Sequence, residues 1–376
     1  MLLKGTIDRQ CSLLCAACFV YTPITVNTQG FMSDTRAPQT PPTDTTATPL
    51  VDNFGREITY LRMSVTDRCD LRCVYCMAED MTFLSRSEVL SIEELTELGR
   101  TFVAMGVRKL RITGGEPLIR KGILTLMENL GALEGLHELC LTTNGTHLAQ
   151  YAQALKDAGV DRINISLDTL SPERFRSLTR FGDLNTVLDG IKAAKAAGFK
   201  RIKLNCVALK NRNADEVDTL VGFALEHGLD ISFIEEMPLG AITEHGRAEE
   251  FVTSAELRAT IGQRYPLTPS SESSGGPARY WRHAGYDSRI GFISPHSNNF
   301  CASCNRVRLT ATGRLLLCLG QEHSRDLRAV IRDPDLDSAM LQRAITEAIS
   351  IKPKEHTFDL AADEPQIVRF MNTTGG

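Results

Sequence analysis

From residue 60 onward, apolar and polar positions repeat in an order where a helical stretch ends at a glycine and a short strand follows. Glycine is favoured just after a helix because it adopts a left-handed backbone at little cost. The repeated segments begin at Gly106, Gly135, Gly159, Gly198 and Gly228. With a further strand at Tyr60–Thr66, they predict six β/α units, which favour a parallel sheet and an incomplete (β/α)6 TIM-type barrel of the α/β class.

Within these strands every second residue is polar, whereas parallel strands are usually apolar on both faces. Residues two apart share a face of a strand, so one side of the sheet is predicted to be polar while the other packs on helices. The polar positions are Arg62, Ser64 and Thr66, then Lys109, Arg111 and Thr113, then Asn164, Ser166 and Asp168, and finally Lys203 and Asn205. Solvated edge strands do not explain so many cases, so we expect the inner face to hold a polar, charged ligand near the C-terminal strand ends.

Composition narrows the class of protein. The 376 residues are 42% hydrophobic and 23% charged, which is typical of a globular chain with one large domain or one large and one small. A net charge of -4 argues against general nucleic-acid binding, since no basic excess is left to neutralise phosphates. We also expect no membrane span, because no apolar run reaches the length of about 18 residues that one requires.

The β/α rhythm stops near residue 250, which suggests three parts. We expect residues 1–50 to be a disordered or dispensable leader with Met32 as an alternative start, because residues 37–46 are rich in Thr and Pro. Residues 51–250 would form the partial barrel and residues 251–376 a smaller C-terminal region. The leader partly resembles a signal peptide, but grouped cysteines are more typical of metal ligands kept reduced in the cytoplasm, which is the expected location.

Three cysteines after the first strand, Cys69, Cys73 and Cys76, have the spacing C-x-x-x-C-x-x-C, and we call them the first thiol group. Three neighbouring thiolates can bind three irons of a [4Fe-4S] cluster and leave the fourth iron open to a small molecule. Half of a zinc site is the alternative, although zinc needs a fourth ligand and no Cys or His lies close by in sequence.

An earlier triplet repeats this spacing at Cys11, Cys15 and Cys18. It has no aromatic residue before its last cysteine and no preceding strand, so we expect it not to bind a cluster.

About forty residues after the first thiol group, the second strand ends in Gly114-Gly115-Glu116-Pro117. Taken together, the cysteine triplet with Tyr75 before its last member and this turn resemble the radical S-adenosylmethionine (SAM) enzymes.

Cys301, Cys304 and Cys318 form a second thiol group with the spacing C-x-x-C-x13-C. An incomplete zinc ribbon with His296 or His323 as fourth ligand is one interpretation. A second [4Fe-4S] cluster with its own open iron is favoured beside the first. The nearby Arg306 and Arg308 could then bind a phosphorylated substrate, the alternative being an ordinary surface charge pair.

Five separated motifs narrow the resemblance to the GTP 3',8-cyclases, a radical SAM family of lyases in molybdenum cofactor biosynthesis. They are Leu61–Cys69, Arg111–Pro117, Leu141–Gly145, Ile165–Asp168 and Cys301–Arg308, and the likeness runs from about residue 52 to Gly376. The resemblance implies that the first cluster splits SAM into methionine and a 5'-deoxyadenosyl radical. This radical takes hydrogen from C3' of GTP, C3' then bonds to guanine C8, and uptake of one electron and one proton gives (8S)-3',8-cyclo-7,8-dihydroguanosine 5'-triphosphate.

The resemblance also implies roles for single residues. The first and second thiol groups would be the metal ligands, with the second cluster binding guanine and Gly375-Gly376 entering the site. The cysteines of the first thiol group, with Arg306 and Arg308, would be the catalytic residues. SAM would contact Tyr75, Gly115, Ser166 and Met237, and GTP would contact Arg62, Arg111, Thr142, Lys203, Arg306 and Arg308.

The implied partners are GTP, the cyclic pyranopterin monophosphate synthase that acts next, and a one-electron donor. A homodimer is an expected assembly. One departure is Ser232, which stands where the family commonly has arginine, so one contact to the triphosphate is in question. Two other functions stay open: a different radical SAM enzyme with an auxiliary cluster, such as a peptide-modifying one, and a zinc-stabilised scaffold without catalysis.

Overall fold

The computed structural model describes residues 49–240, 242, 246–359 and 367–375. The early cysteine triplet, nearly all of the expected leader and Gly376 lie outside these ranges. Within them, no helix is long and apolar enough to cross a membrane.

Twelve strands are formed in the described ranges. They are β1 Tyr60–Ser64, β2 Lys109–Thr113, β3 Glu138–Thr143, β4 Arg162–Ser166, β5 Arg201–Ala208, β6 Asp230–Glu235, β7 Thr268–Ser270, β8 Arg279–Arg282, β9 Ile290–Ile293, β10 Arg306–Leu309, β11 Arg314–Leu316 and β12 Ser324–Asp326.

The α-helices of the same ranges mostly connect or flank these strands. They are α1 Ile92–Ala104, α2 Ile123–Gly131, α3 Leu148–Asp157, α4 Pro172–Thr179, α5 Leu184–Ala196, α6 Val217–His227, α7 Arg247–Glu250, α8 Ser254–Arg264, α9 Leu327–Ile331, α10 Ser338–Ser350 and α11 Met371–Thr374.

All twelve strands join one sheet in the order β12-β11-β10-β1-β2-β3-β4-β5-β6-β9-β8-β7. Strands β1 to β6 are adjacent and parallel, which confirms the predicted β/α succession. The late strands extend both edges, since β9 pairs in parallel with β6 and β10 pairs in parallel with β1. The C-terminal sequence therefore adds to the sheet at both ends.

The connection from β9 to β10 bears on the curvature of this sheet. Residues 294–305 lead from one edge of the parallel strands to the other and include a 3-10 turn at Cys301–Ser303. Twelve residues span at most about 40 Å when fully extended, and the seven strand spacings between the edges amount to about 34 Å in a flat sheet. Because this connection contains turns, it is shorter than its fully extended length, which is consistent with a curved sheet of the partial TIM-barrel type.

Local sequence signals explain the element boundaries. The five glycines predicted to end helices all have positive φ, from 66° at Gly228 to 97° at Gly106. Ser91 and Thr253 each form a complete capping box with the glutamate three residues on, so the first turns of α1 and α8 are satisfied. Lys109, Arg111, Asn164 and Lys203 are buried on the polar face, while the alternate apolar residues join the core under the helices.

Candidate functional site

A cavity on the polar face of the sheet brings together every residue that the sequence singled out as a ligand or contact. Its lining includes both thiol groups and also Arg62, Tyr75, Arg111, Gly115, Thr142, Ser166, Lys203, Met237, Arg306 and Arg308. These residues come from all six β/α units and from the C-terminal strands. Of these residues, Arg62, Arg111, Ser166 and Lys203 belong to the alternating polar pattern of the strands.

The loop after β1 holds the first thiol group against the end of α4. The amide of Arg72 donates to the Thr179 carbonyl, and the amide of Val74 donates to the Leu178 carbonyl, each at 3.0 Å. All three cysteines of the group are free thiols that line the same cavity. This donor set suits an iron-sulfur cluster, which is held by thiolates.

The Gly-Gly-Glu-Pro turn packs directly on this loop. The Gly115 amide donates to the Thr66 carbonyl, and the Glu116 amide donates to the Arg68 carbonyl, both at 2.8 Å. A Cβ atom at Gly115 would lie 2.3 Å from the Arg68 oxygen. Only glycine therefore allows this close approach.

The Glu116 carboxylate ties the turn to the end of β3. It accepts hydrogen bonds from the Leu118 amide at 2.9 Å, the Thr143 hydroxyl at 2.8 Å and the Asn144 amide at 2.7 Å. Burial raises its pKa to about 7, although these donors favour the ionised form. Glu116 thus has a supporting role behind the first thiol group.

Tyr75, the aromatic residue before the last cysteine, is fixed by a carboxylate beyond β4. Its hydroxyl donates to Asp168 Oδ2 at 2.6 Å, and Asp168 Oδ1 accepts from the Val207 amide at 2.8 Å. Burial raises the pKa of Asp168 to about 6. This chain of contacts orients the Tyr75 ring in the cavity wall.

The surroundings of the first thiol group disfavour free thiolates. Burial raises the pKa of Cys76 to about 12 and the pKa of Cys73 well above its ordinary value. The negative charge of Asp168 acts in the same direction on both thiols. Binding a cationic cluster here would therefore release protons.

Five cations line the cavity, and we call Arg62, Arg111, Lys203, Arg306 and Arg308 the cationic band. Arg308, Arg62 and Arg111 are register partners on β10, β1 and β2, so they lie side by side on one face. Burial lowers the pKa of Arg62 to about 10 and the pKa of Lys203 to about 7, and neighbouring cations contribute. Such a concentration of positive charge favours an anionic ligand.

Arg111 of the cationic band forms hydrogen bonds with Tyr60 and Thr142. Arg111 Nε donates to the Tyr60 hydroxyl at 2.6 Å, and Arg111 Nη1 donates to Thr142 Oγ1 at 3.1 Å. Burial alone would raise the pKa of Tyr60, but Arg111 and Arg62 outweigh that effect and lower it. The structure therefore places Thr142 beside a predicted substrate contact.

The second thiol group forms around the β10–β11 hairpin. Cys301 and Cys304 precede β10, and the antiparallel pairing of β10 with β11 returns the chain so that Cys318 reaches the same cavity. Burial alone would raise the pKa of Cys304, but Arg306 and Lys352 outweigh that effect and lower it. This group therefore has cationic surroundings.

The two histidines considered as fourth zinc ligands have other positions. His296 Nε2 lies 3.0 Å from the Glu236 carbonyl oxygen, and His323 is exposed. Within the described ranges, no three His, Cys, Asp or Glu side chains lie close enough to share one metal ion.

The C-terminal segment 367–375 also reaches the cavity. Arg308 Nη1 donates to the Gly375 carbonyl, and Asn372 Nδ2 donates to the Asp67 carbonyl at 2.8 Å. A Cβ atom at Gly375 would lie 2.3 Å from Thr113 Cγ2, which explains a glycine here. The sequence had suggested this placement only through the family resemblance.

Several lining residues were not assigned to a metal, SAM or GTP from the sequence. They are Tyr60, Lys109, Asn164, Asn205, His356, Phe358, Met371 and Asn372. Lys109, Asn164 and Asn205 belong to the alternating polar pattern, which was therefore sufficient to find them. The four residues from His356 onward follow no strand pattern and no motif.

Ser232, at a position where the family resemblance led us to expect arginine, is fully buried in β6. Its register partners are Asn205 on β5 and Gly291 on β9. Ser232 therefore lies on the polar face of the sheet, in register with Asn205, but it adds no positive charge to the cationic band.

Comparison with known families gives two consecutive matches. Residues 63–224 match the Radical SAM superfamily, and residues 229–358 match the Molybdenum Cofactor Synthesis C family.

Two curated relatives span nearly the whole described chain. The chain is 59% identical over 327 residues to GTP 3',8-cyclase of Saccharophagus degradans, covering 87% of this chain and 98% of the relative. It is 62% identical over 330 residues to GTP 3',8-cyclase 1 of Pseudomonas aeruginosa, covering 88% of this chain and 100% of the relative.

Among solved structures, the chain is similar in fold to Streptococcus suis SuiB bound to S-adenosylmethionine. The TM-score is 0.54 at 15% identity, and the match covers 85% of this chain and 78% of SuiB. At this identity the likeness concerns the fold alone.

Proposed function

The chain belongs to the GTP 3',8-cyclases, a family of radical SAM enzymes, and from this premise we propose which residues perform the reaction. It is a GTP 3',8-cyclase of molybdenum cofactor biosynthesis. The observation that carries the assignment of residues is the cavity in which both thiol groups and the cationic band meet.

We assign the first thiol group as the ligands of the [4Fe-4S] cluster that membership of the radical SAM superfamily implies. Three free thiols provide three iron ligands and leave one iron for SAM. When bound, this cluster supplies the electron that cleaves SAM to the 5'-deoxyadenosyl radical, which takes hydrogen from C3' of GTP.

Four lining residues would orient SAM in this half of the cavity. They are Tyr75, Gly115, Ser166 and Met237. Tyr75 is held by Asp168, so its ring provides a fixed wall. Gly115 leaves its backbone open to a ligand because it has no side chain.

The cationic band and Thr142 are assigned to GTP. Arginine binds phosphate through paired, charge-assisted hydrogen bonds, and three neighbouring arginines on β10, β1 and β2 offer several such pairs. Lys203 adds a point charge from β5. Arg306 and Arg308 are the proposed catalytic cations, because they continue directly from the second thiol group and would fix GTP relative to it.

The second thiol group is proposed to hold a second [4Fe-4S] cluster whose open iron binds guanine. Two features support this: Cys301, Cys304 and Cys318 are free thiols, and cations lie beside them. An anionic nucleotide is drawn to such a cationic position.

The wider setting is also a proposal. We place the enzyme in the cytoplasm, where thiols stay reduced, with a one-electron donor and cyclic pyranopterin monophosphate synthase as partners. The three-part division at residues 50 and 250 and the homodimer remain predictions.

Product identification tests the residue assignment together with the activity. Protein reconstituted with iron and sulfide is incubated without oxygen with GTP, SAM and a reductant, and the nucleotide product is identified by mass. We expect an isomer of GTP and one 5'-deoxyadenosine per product. Deoxyadenosine without a GTP-derived isomer would contradict the cyclase assignment and would favour a different radical SAM substrate.

A further inference from the structure

SAM cleavage in the proposed reaction consumes an electron that must come from outside the protein, and the surface near the first thiol group is rich in arginine. Arg68 and Arg72 lie on the loop that carries these cysteines, and three further arginines connect to them; we call all five the cationic rim. They are Arg68, Arg72, Arg86, Arg120 and Arg180. The whole chain has a net charge of -4, so this concentration is local.

Contacts connect the rim into one surface. The guanidinium groups of Arg68 and Arg72 lie 5.6 and 4.8 Å from the centre of the Phe83 ring. Arg180 Nη1 donates to the Arg72 carbonyl at 3.3 Å. The charge of Arg86 acts on Arg120, whose pKa is lowered by burial and by that neighbour. Arg68 Nη2 also donates to the Leu84 carbonyl at 3.2 Å, and Arg86 follows Leu84 by two residues, so contacts and sequence together connect the five positions.

Arg72 brings this surface to the proposed iron ligands. It lies in sequence between Cys69 and Cys73, and its Nη1 donates to the Cys69 carbonyl at 2.8 Å. A partner seated on the rim would therefore contact the loop that encloses the first thiol group.

Two exposed apolar side chains border the rim. Phe181, next to Arg180, is 54% exposed, and Ile119, next to Arg120, is 37% exposed. The rim also has carboxylates nearby, since Glu79 pairs with Arg180 at 3.3 Å and Asp80 is exposed. Asp70 lies in the cysteine loop, and Glu88 accepts from the Ser85 amide beside Arg86. Five arginines thus stand beside four carboxylates, so the surface combines a small excess of positive charge with exposed apolar contacts, which suits a transient protein interface.

We propose that the cationic rim with Phe181 and Ile119 is the docking surface for an acidic one-electron carrier protein that contains a low-potential flavin or iron-sulfur centre. This inference rests on the proposed cluster at the first thiol group. The carrier is oxidised by one electron, and the first cluster is reduced from [4Fe-4S]2+ to [4Fe-4S]1+. No bond is formed or broken and no proton moves in this step.

The test uses reconstituted full-length enzyme and the double variant R68Q/R86Q, two exposed rim positions. The control is R264Q/R279Q, because these arginines lie by α8 and on β8 at the opposite end of the strand order. Reduction of the cluster is followed by its visible absorbance with reduced acidic ferredoxin, with reduced acidic flavodoxin, and with photoreduced deazaflavin as a small neutral reductant.

We expect the rim variant to be reduced at least ~10-fold more slowly by one or both carriers at low salt, with a weaker salt dependence. Its reduction by deazaflavin and the carrier rates of the control should equal those of the wild type. Equal carrier rates in rim and control variants would overturn the proposal, as would an equal loss with deazaflavin. A rim variant that loses binding to duplex DNA but keeps its carrier rates would show a nucleic-acid surface instead and would also overturn it.

The proposed function fails separately, because it predicts 5'-deoxyadenosine and cyclised GTP with deazaflavin alone. A further variant, F181A, keeps every rim charge. We expect a smaller loss of carrier rate from it, with salt dependence unchanged.

Discussion

The two thiol groups line one cavity, but different charged side chains act on their thiols. Near the first group lie the carboxylates of Glu116 and Asp168, and burial raises the pKa of all three thiols. Near the second group lie Arg306 and Lys352, which lower the pKa of Cys304 despite burial, whereas burial still raises the pKa of Cys301 and Cys318. Arg56 adds a further cation, since its Nη1 donates to the Cys301 carbonyl at 2.9 Å.

This difference shows how two groups of cysteine ligands could support different functions, one in electron transfer and one in nucleotide binding. The reduction potential of an iron-sulfur cluster depends on nearby charge and on burial. The carboxylates nearest the first thiols would lower the reduction potential of a cluster bound there, and the arginines of the cationic rim would partly offset that effect. Positive surroundings at the second group favour an anionic nucleotide instead.

The largest expected effect comes from removing the reductive site. We predict that Cys69→Ala abolishes 5'-deoxyadenosine formation, because a cluster held by two thiolates is neither stable nor open at a defined iron. Chromatography of the nucleoside after anaerobic incubation measures this. A variant that retains deoxyadenosine formation near the wild-type rate would assign the reductive role elsewhere.

A substitution in the second thiol group is expected to abolish cyclisation of GTP while leaving part of the SAM cleavage. Cys304→Ala should bind roughly half of the wild-type iron, keep part of the SAM cleavage and form no cyclised nucleotide. Iron analysis and quantitation of both products check this. Parallel loss of cleavage and cyclisation would mean that the groups do not have separate roles.

Charge in the band should determine GTP affinity. We predict that Arg308→Gln weakens GTP binding by ~10- to 100-fold, since a charged hydrogen bond contributes about 1.5–3 kcal/mol. Anaerobic calorimetry gives the Kd. The matched control is Arg325→Gln, an exposed arginine paired with Glu347, and an equal loss there would contradict a local role for Arg308.

Lys203 should make GTP affinity depend on pH. Burial lowers its pKa to about 7, and Arg111 and Arg162 contribute, with Lys109 in the same direction and Asp230 opposing. The amine is charged below pH 7 and neutral above it, so the Kd for GTP should rise as pH increases beyond 7, by at most ~10-fold per unit. Lys203→Arg stays charged and should flatten this rise. Identical pH profiles for the two proteins would refute the explanation.

The smallest effect is expected from the early cysteine triplet, which lies outside the described residues. We predict that deleting residues 1–31 leaves iron content and turnover unchanged, because the two family matches begin at residues 63 and 229, after this triplet. A clear decrease in bound iron would add a third.

Much of this site could be predicted from the chain because its signals are local. Alternation placed Arg62, Arg111 and Lys203 on one face, and parallel pairing then required them to be near each other. Glycine at helix ends set the strand starts, since only a residue without Cβ adopts positive φ freely.

What could not be predicted depends on contacts between distant segments. Nothing local indicates that Asn372 contacts the Asp67 carbonyl, or that β9 and β10 join opposite edges of the sheet. The carboxylate behind Tyr75 was identified only as a polar strand position, because its pairing depends on the fold.

The placement of β9 and β10 has a consequence for synthesis on the ribosome. β1 is made early but obtains its second neighbour only when β10, residues 306–309, has left the exit tunnel. Until then its backbone groups on that side are available for pairing with other chains, a known route to aggregation. We therefore expect nascent chains that stop before residue 306 to bind chaperones, whereas chains released after residue 326 should not.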